Sequence, residues 1–180
     1  MMRKGYLDRE MFSLYVGRNG SPGELMFGGY DSTRFKGDLV YIDCVPTTPW
    51  TVNVDAIQVG DLNISDGSAA LISSMNTFMM GPPDSISQIA QELGGKEQFP
   101  GIPVYTIDCK ATPPDVTFVL GGHPFSISKE DYILDMNDEC TLALFVGIGP
   151  WVLGTPLLSK YYAVFDMNSD KPRIGFAEAR

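Results

Sequence analysis

Val116-Thr117-Phe118-Val119-Leu120-Gly121-Gly122-His123-Pro124-Phe125-Ser126-Ile127 sets large apolar side chains at alternate positions on both sides of a double glycine. Alternation is the signature of a strand with one buried face, because successive side chains leave the pleat on opposite sides. Two glycines tolerate positive φ, so they suit the tight turn between the halves, and the run reads as a β-hairpin. The rhythm recurs on both sides of it. Met11-Phe12-Ser13-Leu14-Tyr15-Val16 and Glu24-Leu25-Met26-Phe27 flank Asn19-Gly20, and Tyr161 to Phe165 returns through Asp166 to Asp170 into Arg173 to Ala177. With 19 glycines and 13 prolines punctuating short β-branched and aromatic runs, the expected fold class is all-β, mostly antiparallel sheet with a few short helices.

Helix is confined to brief pieces. Asp84 is expected to cap a segment in which Ile86, Ile89, Ala90 and Leu93 recur at helical spacing, with Gly94 ending it. Pro156 suits the first turn of a short helix through Leu157 and Leu158, and Ser128 to Leu134 is a third candidate. No linker, repeat or low-complexity tract interrupts the 180 residues, so residues 1–180 are expected to form a single unit. A chain of this size can bury about 70% of its unfolded surface, enough for one core.

Thirteen basic against 22 acidic residues leave a formal charge of −9 with one histidine, so neither nucleic acid nor an anionic membrane is expected as a partner. No apolar run approaches the roughly 20 residues of a spanning helix, and MMRKGYLDREMFSLYVG lacks the apolar centre of a secretory signal. Cys44, Cys109 and Cys140 form no C-x-x-C pair and have no histidine nearby, so no metal site and no cofactor is expected. One disulfide and one leftover thiol is the natural arithmetic. Asn19-Gly20-Ser21 and Asn63-Ile64-Ser65 fit the glycan acceptor pattern, which matters only in a secretory compartment. His123, at a hairpin tip with no nucleophile motif, reads as exposed and structural, and Met75, Met79 and Met80 read as core filler.

Several stretches together resemble the C-terminal lobe of pepsin-like aspartic proteases. Trp151-Val152-Leu153-Gly154, Tyr161-Tyr162-Ala163-Val164-Phe165-Asp166 and Arg173-Ile174-Gly175-Phe176-Ala177 are similar to that family's closing segment. Gly5-Tyr6-Leu7-Asp8-Arg9-Glu10-Met11-Phe12-Ser13 resembles the segment after the crossing between lobes. Phe27-Gly28-Gly29-Tyr30-Asp31 with Arg34-Phe35-Lys36-Gly37 resembles the next hairpin.

In that family each lobe supplies one aspartate from a loop reading Asp-Thr/Ser-Gly-Thr/Ser, led in by apolar residues and, in this lobe, followed by Gly-Pro. Two carboxylates held close cannot both be charged, so they share a proton; one activates water while its partner assists the scissile carbonyl. Matching Gly67 upstream and Gly81-Pro82 downstream makes Ala70-Leu71-Ile72 the lead-in and lays Ser73-Ser74-Met75-Asn76-Thr77 on the motif. Ser73 then stands at the aspartate's position, Met75 at the glycine's and Asn76 at a hydroxyl residue's. A second register restores an acid at Asp66, but drops a residue from the triplet and lengthens the span to Gly81-Pro82; Asp66-Gly67-Ser68 also suits a plain turn. A serine hydroxyl stays un-ionised and cannot act as the general base, a role worth about 10²- to 10⁴-fold in rate.

The resemblance implies a C-terminal lobe without its N-terminal lobe, proteolytically inactive, whose partners are an extended peptide or a complementary N-terminal lobe. It also implies an exposed apolar seam. The alternative is the C-terminal part of an active aspartic endopeptidase whose N-terminal lobe is missing from this chain. Cys109 and Cys140 match the family's large C-lobe disulfide; Cys44 has no evident partner in the family and reads as a buried thiol in a strand, with intermolecular pairing as the alternative. A secreted or lysosomal location follows from the same resemblance.

Overall fold

The computed structural model describes residues 7, 9–18, 21–46, 50–65, 67–136, 139–167 and 171–180. In chain order its strands are β1 (Met11–Tyr15), β2 (Glu24–Phe27), β3 (Phe35–Asp43), β4 (Thr51–Val59), β5 (Leu62–Ile64), β6 (Ala69–Ile72), β7 (Met79–Gly81), β8 (Lys96–Phe99), β9 (Ile102–Ile107), β10 (Val116–Leu120), β11 (His123–Ile127), β12 (Ile133–Asp135), β13 (Cys140–Leu142), β14 (Leu144–Val146), β15 (Trp151–Leu153), β16 (Tyr161–Asp166) and β17 (Arg173–Ala179). The helices are α1 (Pro83–Glu92), α2 (Lys129–Tyr132) and α3 (Thr155–Lys160). The fold is all-β, as the alternation implies. Two compact units emerge, one of Met1–Val52 with Leu158–Arg180 and one of Asn53–Leu157.

The first unit is a five-stranded sheet in the order β2-β1-β16-β17-β3. The expected first hairpin pairs β1 with β2, Phe12 opposite Phe27, and the last pairs β16 with β17, Phe165 opposite Ile174. Asn19 and Gly20, and residues 168–170 of the closing turn, lie outside the described residues. One face of the sheet buries Met11, Phe35, Tyr162, Val164 and Ala177. Polar groups taken into this core are matched: the Ser13 hydroxyl donates to the Gly29 carbonyl at 2.9 Å and accepts from the Tyr162 hydroxyl at 2.8 Å. Buried Asp166 receives Nε and Nη2 of Arg173 at 3.0 and 2.9 Å, and that guanidinium lies over the Tyr41 ring. Phe12 stacks on Phe165 at 4.6 Å, and Trp50 meets both edge-on. Cys44 is buried as expected, but it sits one residue past the end of β3 and not in the strand. There its amide donates to the Pro172 carbonyl instead of to a ladder partner.

In the second unit an eight-stranded sheet runs β11-β10-β4-β6-β15-β7-β14, with β5 added against β4, and a smaller sheet runs β12-β13-β9-β8. The hairpin read from alternation is present, with Val116 opposite Ile127 and Leu120 opposite His123. Its two glycines adopt φ of 56° and 78°, and His123 is exposed. Helix α1 buries Ile86, Ile89 and Ala90. Its start differs from expectation: Pro82 occupies the cap and Pro83 the first turn, with Asp84 already inside the helix. A first-turn proline presets φ and has no N–H to satisfy, so the helix begins before the acid, which instead complements the positive helix end. Gly94, at φ 81°, ends it. Helix α2 is shorter than Ser128 to Leu134 allows, because Ile133 and Leu134 pair with β13 instead. Met79 is fully buried, but Met75 is 94% exposed and is not core: it lies in a turn and its side chain stands in solvent.

Candidate functional site

Strand β6 carries Ala70 and Ile72 into the core and stops there. Strand β15 runs parallel beside it, with Trp151 opposite Ala70 and Leu153 opposite Ile72. Parallel neighbours release their chains at the same end, so Ser73 emerges next to Gly154, and its amide donates to the Leu153 carbonyl at 3.1 Å. On the far side of β15 lies β7, antiparallel to it through Val152 and Met80 and parallel to β14. Residues 73–78 therefore pass over the end of β15 to reach β7.

The loop is held by a short relay. The Ser73 hydroxyl donates to Oδ1 of Asn76 at 3.0 Å, and the Asn76 amide group donates to the Met80 sulfur at 3.5 Å. The Asn76 carbonyl accepts from the amide of Thr155 at 2.8 Å and from its hydroxyl at 3.1 Å. Gly154 makes this approach possible, since a Cβ there would overlap the carbonyl oxygens of Asn76 and Phe78. Gly81 plays the same part at the loop's exit, where a Cβ would enter the ring of fully buried Trp151. Phe78 packs on Phe145 at 4.5 Å.

Of the residues singled out in the sequence, the structure joins Ser73 and Asn76, both half-buried. Ser74, Met75 and Thr77 are exposed. Asp66 lies outside the described residues, as does Asn19; Asn63 is exposed on β5. Cys109 and Cys140 form the disulfide that the resemblance implies, with Cα atoms 5.2 Å apart. Among the described residues the Ser73 hydroxyl pairs with a carboxamide and with no carboxylate, and no grouping of metal-ligating side chains includes a residue of this loop. Among the described residues the loop offers neutral donors and acceptors.

The sequence by itself does not mark Gly154 and Thr155 as partners of the loop. The available signal was a glycine directly after an apolar strand, which marks close backbone approach. Its partner, 78 residues earlier, is visible only once β6 and β15 are seen side by side.

The family profile described as eukaryotic aspartyl protease matches residues 1–179. Human cathepsin D is 34% identical over 99% of this chain and 47% of its own length. Mouse renin-2 is 32% identical over 100% of the chain and 48% of its own length, and vacuolar protease A of Aspergillus fumigatus is 32% identical over 100% and 47%. The chain thus spans about half the length of the curated relatives it matches.

Proposed function

Since the chain belongs to the eukaryotic aspartyl protease family, we propose that it is a non-catalytic homologue of the C-terminal lobe of these proteases, serving to bind an extended peptide or a complementary lobe. The observation that carries this reading is Ser73: the position matched to the family's aspartate holds an alcohol whose hydrogen bond goes to Asn76. An alcohol with no base beside it does not activate water at the acidic pH where a shared-proton carboxylate pair works. Peptide binding needs no acid; it draws on backbone pairing and side-chain pockets. Exposed Phe27 and Met167, which line one groove with Phe12 and Trp50, and exposed Leu25 on the same strand as Phe27 support a partner lobe. A vacuolar, lysosomal or secreted location is in keeping with a relative named for the vacuole, and no helix among the described residues is long and apolar enough to cross a membrane.

Calorimetry with a statin-type peptide, alone and after addition of a family N-terminal lobe, tests this. Heat of binding with no cleavage of denatured protein at about pH 3 to 5 is expected. Absence of heat in both mixtures removes the binding claim.

The second reading, the C-terminal part of an active aspartic endopeptidase, is supported by relatives that carry protease names over twice this length. It requires Asp66 to supply the acid. Cleavage of a denatured protein by the two lobes together, abolished by Asp66→Asn and untouched by Ser73→Ala, would establish it.

A further inference from the structure

We propose that Asn63 carries an N-linked glycan whose first sugars lie across the outer face of the large sheet, on Gln58, Thr117 and Ser126. The proposal rests on the secretory location given above, with which the Cys109–Cys140 disulfide agrees, since such bonds persist in oxidising compartments. Asn63-Ile64-Ser65 has the acceptor amide, a middle residue other than proline, and the hydroxyl two positions on. The fold adds what the motif cannot. Asn63 sits in the middle of β5, a three-residue strand laid against β4, and is exposed; among the described residues its carboxamide makes no hydrogen bond.

The register of four strands places one row of side chains beside it. Asn63 stands opposite Gln58 of β4, Gln58 opposite Thr117 of β10, and Thr117 opposite Ser126 of β11. Residues directly opposite share a face, and this face is the one away from the core: the flanking Ile57 and Val59, Val116 and Phe118, and Phe125 and Ile127 are all buried. Every member of the row is uncharged and polar, with the Thr117 and Ser126 hydroxyls 2.7 Å apart. At ordinary strand spacing the row spans about 14 Å, comparable with a short run of sugar rings. Sugars present hydroxyl and acetamido groups, which such neighbours bond without breaking an ion pair or desolvating a charge.

The chemistry is a glycosyl transfer from a polyprenyl-diphosphate oligosaccharide by a host transferase. Nδ2 of Asn63 forms the bond to the anomeric carbon, the carbon–oxygen bond to the diphosphate breaks, and the diphosphate leaves with its electron pair while the amide gives one proton to the transferase's base. In the folded chain the Ser65 hydroxyl donates to the Asp55 carbonyl at 2.8 Å, so transfer precedes the closing of β5 on β4, and the exposed position then lets the sugar stay.

The full chain, with Asn19→Gln to leave one acceptor, is made behind a cleavable leader in a glycosylating eukaryotic cell. Peptide mass mapping is expected to find a glycan on Asn63, lost in Ser65→Ala and kept in Ser65→Thr. Protein released with its disulfide intact and Asn63 bare overturns the site, whatever the natural compartment. Protein from the natural source with Asn63 bare, when the recombinant chain is modified, overturns the location reading and the glycan with it. Melting tests the row. The glycosylated chain is expected to melt about 2–4 °C above Asn63→Gln, the worth of roughly one net hydrogen bond in a domain of this size, and the gap to close when Gln58→Ala and Thr117→Ala are made in both. A gap that persists in that background, or no gap at all, overturns the placement of the sugars on the row.

Discussion

Ser73 and Tyr132 show how single side chains hold a loop and set a pH response. Ser73→Ala deletes the hydroxyl that holds Asn76, one net hydrogen bond, so a loss of about 0.5–1.5 kcal/mol is expected in urea unfolding. A loss well above that range would mean that the loop does more for the fold than its bonds suggest. Tyr132 is fully buried and donates to the Pro114 carbonyl at 2.7 Å. Burial, helped by the charges of Asp115 and Glu130, holds its phenol pKa far above the usual value. The unfolded chain releases this proton near pH 10 while the folded chain keeps it, so the contribution is complete below about pH 10 and is lost as pH rises beyond it. Burial raises Tyr41 and the Cys44 thiol in the same sense. Tyr132→Phe is therefore expected to flatten, without abolishing, the fall of unfolding free energy between about pH 9 and 11. An unchanged slope would remove this account.

Among the elements, the crossing of the 73–78 loop over β15 depends on two glycines that differ in what they face. A Cβ at Gly154 meets backbone carbonyls, which cannot rotate away; one at Gly81 meets the ring of Trp151, which can shift only by disturbing a packed core. Both alanine variants should be destabilised by about 1–3 kcal/mol or more, Gly154→Ala the more severely. Equal denaturation midpoints would contradict that ordering. The β10–β11 hairpin was readable because period-two burial and a double glycine act within twelve residues. The parallel pairing of β6 with β15 was not, since three- and four-residue runs carry no register and the partner lies some eighty residues away. Helix α1 was readable in its apolar face and its Gly94 stop, but its start was moved by a proline pair that needs no side-chain cap.

At the scale of the whole molecule the consequence lies in the first unit, on the face opposite its core. Phe27, 53% exposed, and Met167, 44% exposed, line a groove of about 370 Å³ with Leu7, Phe12 and Trp50, and Leu25, two residues before Phe27 on β2, is also 53% exposed. Apolar surface of this kind on a folded chain marks an interaction site or an aggregation hazard. Sedimentation velocity on the isolated chain is expected to show concentration-dependent association, relieved by Leu25→Lys with Phe27→Lys and by an added family N-terminal lobe. Monomeric wild-type chain at high concentration would argue that this face needs no cover.

The sequence alone determined the sheet class, the hairpins, the disulfide through its family resemblance, and the absence of a carboxyl group at position 73. All of these rest on local periodicity or on residue identity, which need no partner to be read. Tertiary structure decided what surrounds Ser73: that its hydroxyl meets Asn76, that Thr155 and Gly154 clamp that residue's backbone, and that Met75 stands in solvent. Those contacts join segments far apart in the chain, and their geometry follows from which strands lie side by side, a choice made by the packing of the whole sheet.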